Sequence, residues 1–114
     1  MTDLRLYMAQ RLSALVMAPL VVGHIAVMVY AIGGGLTVAE ILGRTQGSVA
    51  WFLFYGLFVA AVSVHAAIGL RTVLHEWGGL RGRLRDAAAL LIGAGLLLMG
   101  ARAVWAVTFA GAGP

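Results

Sequence analysis

His24 and His65 stand apart from the rest of this 114-residue chain, because each sits inside an apolar run that contains no charge. Polar side chains are expensive in such runs and usually face a bundle interior or a functional group. A neutral imidazole there can hydrogen-bond to a neighbouring helix, which is a structural role. It can also ligate haem iron axially, which suits an electron-transfer cofactor held between helices. The chain has no cysteine. That excludes disulfides, thiolate zinc sites, iron–sulfur ligation, a cysteine nucleophile and covalently attached haem. Any metal must be held by His, Met or carboxylate.

The neighbours of His65 favour the ligand role. Ala61 and Gly69 lie four residues before and after it, so its helical face is bare on both sides and offers room for a flat macrocycle. Small residues also let helices pack closely without a ligand. Around His24 the same positions are Leu20 and Met28, which serve equally as pocket walls or as lipid-facing surface. His75 falls at the end of the second apolar run, where a solvated side chain is expected. The run Gly33, Gly34, Gly35 is not a phosphate loop, because no Lys-Ser/Thr follows it.

The elements that carry these histidines follow from composition. Hydrophobic residues make up 62% of the chain and charged residues 11%, with mean hydropathy +1.00, whereas soluble domains carry about 25% charged residues. A soluble globule and a disordered chain are both excluded, and an all-α membrane protein in one domain, 1–114, is expected. Three runs are long enough to cross a bilayer: residues 12–32, 49–74 and 87–109, the last interrupted only by Arg102. The first has 21 residues, or about 31 Å of helix against a hydrocarbon core of about 30 Å. Pro19 inside it removes a backbone donor and predicts a modest kink. Between the first two spans, Thr37 and Glu40 form a capping-box pair that predicts a short interfacial helix over 38–42. In the third span Ala89, Gly93 and Gly100 share a face and predict a packing seam.

All eight basic residues are Arg, against four acids, and most flank apolar runs. The excess charge therefore reads as membrane topology, not as nucleic-acid binding. Three spans put Arg5, Arg11, Arg71, Arg81, Arg83 and Arg85 on one side and Arg44 and Arg102 on the other, which places the N-terminus in the cytoplasm. Trp51, Trp77 and Trp105 fall near span ends, as an aromatic belt requires. Measured from the inner span ends, His24 lies about 18 Å deep and His65 about 13 Å. Two levels with one histidine each imply separate irons, and a bis-His site then needs its second ligand from another chain. The expected subunit is half of a haem-binding helical bundle.

The stretch HAAIGLRTVLHEW, residues 65–77, resembles the second-helix signature of the membrane-anchor (cytochrome b) subunits of the succinate dehydrogenase and fumarate reductase family. That signature is H-x-x-x-G-[IL]-R followed by an acidic and an aromatic residue. His65, Gly69, Leu70, Arg71, Glu76 and Trp77 fall in register. The stretch QRLSALVMAPLVVGH, residues 10–24, resembles the first helix of the dihaem fumarate reductase anchors. Together the likeness spans residues 7–85.

The resemblance implies b-type haem held between the first two helices and those of a second membrane-anchor subunit. It also implies quinone binding and docking of an iron–sulfur subunit fed by a flavoprotein. By position, His65 would ligate the haem nearer the cytoplasm and His24 a second one nearer the outside, leaving one or two haems open. Arg71 and Arg11 would pair with propionates of the inner haem and Arg102 with those of the outer, with snorkelling to lipid phosphate as the alternative. Arg11, with Tyr7, matches the family's quinone pocket. Gln10, Tyr7 and Thr72 stand where family members carry His, Ser and a second His. The implied function is a haem b- and quinone-binding anchor in a bacterial-type inner membrane. A haem-free structural anchor and a small dimeric transporter remain as alternatives. Such transporters usually carry an intramembrane carboxylate, whereas Glu40 and Glu76 fall in a connection and at a helix end.

Overall fold

The computed structural model describes residues 3–110. They form four helices and no strand: α1 Asp3–Gly34, α2 Val38–Thr45, α3 Val49–Glu76 and α4 Gly82–Thr108. Helices α1, α3 and α4 are long and apolar enough to cross a membrane, matching the three expected spans. Two begin earlier than hydropathy suggests, α1 at Asp3 instead of residue 12 and α4 at Gly82 instead of residue 87. Hydropathy marks the residues that need lipid, but the helix itself continues through Arg5 and Arg11. Arginine is a good helix former, and Asp3 in the first turn complements the helix dipole. Pro19 lies inside α1 without ending it.

Helix α3 is central, packing against α1 and α4, which hardly meet each other. Both pairs are antiparallel. Along α1 and α3, Gly23 faces Phe54 at one end and Gln10 faces Gly69 at the other. Along α3 and α4, the Phe52 and Phe109 rings lie 5.3 Å apart and Arg71 reaches Asp86. The expected seam on α4 holds. Ala89 is buried, a Cβ on Gly93 would lie 2.9 Å from the Ala67 Cβ, and one on Gly100 would overlap Val59.

Thr37 and Glu40 form the expected capping box, each side chain bonding the other's backbone N–H at 3.2 Å. The helix it starts runs to Thr45, three residues further than expected. Gly35 closes α1 through a bond to the Ala31 carbonyl at 2.8 Å, with φ +117°. Glycine is favoured there because that φ is strained for residues with a side chain, and a Cβ would also displace the Glu40 carboxylate from the cap. The end of α2 is tied to the end of α4 by Gln46 Nε2 donating to the Ala106 carbonyl at 3.0 Å and Gly47 N–H to that of Thr108 at 2.6 Å.

The bundle measures 47 × 29 × 23 Å. Its buried apolar residues are Leu6, Ala31, Ala61, Ala89 and Val104, and most leucines face outward. Small residues and van der Waals fit hold such helices together in lipid, where no hydrophobic drive acts between them.

Candidate functional site

The antiparallel register of α1 and α3 brings His65 to a cleft beside the first turns of α1. The cleft has a volume of about 650 Å³, and Tyr7, Gln10, Arg11, Leu12 and Leu15 share its walls with His65. Ser13, only 7% exposed, places its Oγ 3.4 Å from His65 Nδ1 and donates a hydrogen bond to the Gln10 carbonyl at 2.9 Å. Among the described residues none makes a hydrogen bond to Nε2 of His65. The Arg11 guanidinium lies over the Tyr7 ring at 5.5 Å from its centroid, a cation–π contact that holds both side chains at the cleft. Gly69 has a specific effect here. A Cβ on it would lie 3.5 Å from Gln10 Nε2, so the space it leaves on α3 is taken by a side chain of α1. Gln10 Oε1 is buried without a hydrogen-bond partner.

His24 has different surroundings. Its ring meets Phe58 edge-on at 5.4 Å and Tyr55 at 5.9 Å, and Tyr55 in turn stacks on Trp51 at 5.6 Å. Nδ1 of His24 is buried with no hydrogen-bond partner. Ser13 and His24 lie on one line of α1, within about 20° of each other and about 16 Å apart along the axis. The two histidines therefore occupy separate levels, as expected, and are further apart than the depths of about 18 Å and about 13 Å suggest. Those depths assume that Leu12 and Leu74 are level. With α1 starting at Asp3, Leu12 instead lies beside His65.

The arginines divide between these regions. Arg11 shares the His65 cleft, whereas Arg71 points to the α4 side of α3. There its Nε donates to Asp86 Oδ1 at 2.9 Å, and Arg85 Nε donates to the same oxygen at 3.1 Å. This ion pair sits at the mouth of a separate groove of about 530 Å³ between α3 and α4. His75 is half-buried and not solvated as expected, with Nδ1 3.2 Å from both Arg85 Nη1 and the Leu80 carbonyl oxygen. It ties the connection between α3 and α4 to the start of α4. Arg102 is exposed, two residues beyond the Gly100 contact with Val59 and so near the level of His24. Trp77 is 86% exposed, and Arg81 and Arg83 are exposed as well. Among the described residues no three His, Cys, Asp or Glu side chains cluster for a metal ion.

The succinate dehydrogenase/fumarate reductase transmembrane subunit family matches residues 2–102. The chain belongs to this family. Neither a curated protein nor a solved structure gives a match. The matched stretch takes in α1, α2, α3 and most of α4, and so contains the His65 cleft, His24 and Arg102.

The residue-level expectations that come together in one place are His65, Gly69, Tyr7 and Arg11. Arg71, His24 and Arg102 lie elsewhere in the bundle. Ser13 and the packing role of Gln10 were not singled out from the sequence. A signal was present: Tyr7, Gln10 and Ser13 recur every three residues in a run that is otherwise mostly apolar, a polar stripe on one side of α1. What that stripe faces depends on the register between helices 52 residues apart at Ser13 and His65.

Proposed function

We propose that the chain is the haem b- and quinone-binding anchor subunit of a succinate:quinone or quinol:fumarate oxidoreductase, passing electrons between an iron–sulfur subunit and membrane quinone. The observation that carries this reading is the shared cleft of His65, Tyr7 and Arg11. The residues there suit the groups they would hold. His65 has one ring nitrogen engaged by Ser13 and the other without a hydrogen bond among the described residues, which would suit it to hold a haem iron. A bound haem supplies one-electron storage at this point.

Within the cleft, the Tyr7 hydroxyl can donate to a quinone oxygen, and the Arg11 guanidinium pairs with a propionate or a quinone oxygen. Leu12 and Leu15 give the cleft an apolar wall. Arg71 is held by Asp86 through Nε, and its remaining guanidinium donors would be the ones to reach an inner propionate. With one or two haems per subunit pair left open, His24 is the residue that would hold a second haem at the outer level, with Arg102 as the cation on that side. A further histidine ligand would be supplied by the second membrane-anchor subunit, since neither level holds another histidine of this chain. The arginine count puts the N-terminal end on the cytoplasmic side of a bacterial-type inner membrane. On that side Trp77, Arg81 and Arg83 face the iron–sulfur subunit, which receives electrons from the flavoprotein.

One observation favours the haem-free structural anchor as a second reading: the contact between Ser13 and His65 is itself a bond across helices. A visible spectrum of the purified complex separates the two. Reduction by dithionite is expected to give the sharp α-band of a bis-His b-type haem, and a flat reduced-minus-oxidised spectrum would leave the haem-free anchor standing.

A further inference from the structure

We propose that Ser13 is a positioning residue that fixes His65 with its proton on Nδ1 and its lone pair on Nε2. The inference rests on the proposed haem ligation for its consequence, but its geometry is independent of that reading. A serine hydroxyl has one hydrogen to give and two lone pairs to offer. Ser13 Oγ lies 2.9 Å from the Gln10 carbonyl oxygen and 3.4 Å from His65 Nδ1. The shorter contact takes the hydrogen, being near the preferred O–H···O range whereas the longer one is weak.

What Ser13 then offers His65 is an acceptor. Only an imidazole protonated on Nδ1 can use it, because the other form would set two lone pairs against each other. Ser13 is buried in the contact between α1 and α3, which limits competition from water on its side of the bond. The bond orients the ring about its axis and leaves the lone pair on Nε2, the nitrogen on the opposite side from Ser13. In this tautomer the imidazole is ready to donate to a metal, and an acceptor on the Nδ1 hydrogen strengthens that donation. His24 has no equivalent, since its Nδ1 is buried without a partner.

Two measurements test this. In the full chain, labelled with ¹⁵N-histidine, held in detergent and free of haem, His65 is expected to show a protonated Nδ1 and an unprotonated Nε2. The reverse pattern would overturn the proposal whether or not the protein binds haem. In the assembled complex, Ser13→Ala is expected to raise the midpoint potential of the haem held through His65, because loss of the acceptor weakens imidazole donation. It should also shift the low-spin electron paramagnetic resonance signal, and Ser13→Thr, which keeps the hydroxyl, should restore both. A Ser13→Ala complex with potential and signal unchanged, in which haem still depends on His65, would overturn the role of Ser13 and leave the haem reading intact. Full haem content in His65→Ala would instead overturn the haem reading, and the ¹⁵N pattern alone would then decide the role of Ser13.

Discussion

The two intramembrane histidines of this chain are alike in sequence and unlike in structure. His65 has a hydroxyl partner at Nδ1 and opens on a cleft with Tyr7 and Arg11. His24 packs nearly perpendicular to two aromatic rings, and its Nδ1 is buried with no partner. An unpaired buried polar atom costs about 1–3 kcal/mol, and each region carries one, but at His24 it falls on the imidazole itself, whereas beside His65 it falls on the Gln10 Oε1. The difference teaches that an intramembrane histidine cannot be read alone. Its role depends on what the facing helix places against the second ring nitrogen, and one histidine here has that support from its own chain while the other does not.

Changes at either region separate the two. Gly69→Leu is expected to have the larger effect, destabilising the region around His65 by about 1–3 kcal/mol through overpacking against Gln10. Thermal unfolding of the purified complex measures it, and the protection of His24 from modification should not change. Phe58→Leu removes one ring edge from His24. A loss of about 0.5–1.5 kcal/mol is expected from the aromatic contact, read in the same unfolding assay, with the His65 ring signals in a ¹⁵N spectrum unaltered. If either substitution disturbs both histidines equally, the two regions are not independent.

Most of the fold was legible in the sequence. Three uncharged or nearly uncharged runs specify three membrane-spanning helices, and Thr37 with Glu40 specifies the start of the short one. The seam of Ala89, Gly93 and Gly100 was readable because three small residues on one helical face have a direct packing meaning. The starts of α1 and α4 were not readable from hydropathy, which reports the need for lipid and passes over the arginines that a helix tolerates well. The site was legible in part. His65 and Arg11 announce themselves by residue type, whereas Ser13 is an ordinary residue that acquires a role only through the α1 and α3 register. The partner of Arg71 was hidden for the same reason: Asp86 lies 15 residues on, across a turn, and its approach depends on how α4 folds back along α3.

Haem content per complex, measured in the wild-type protein and in His65→Ala and His24→Ala, tests the central claim most directly. Loss of the inner haem in His65→Ala is expected, with any haem held through His24 remaining, and loss of only that outer haem in His24→Ala. Wild-type haem content in the His65→Ala complex would contradict the assignment of His65 as the iron ligand.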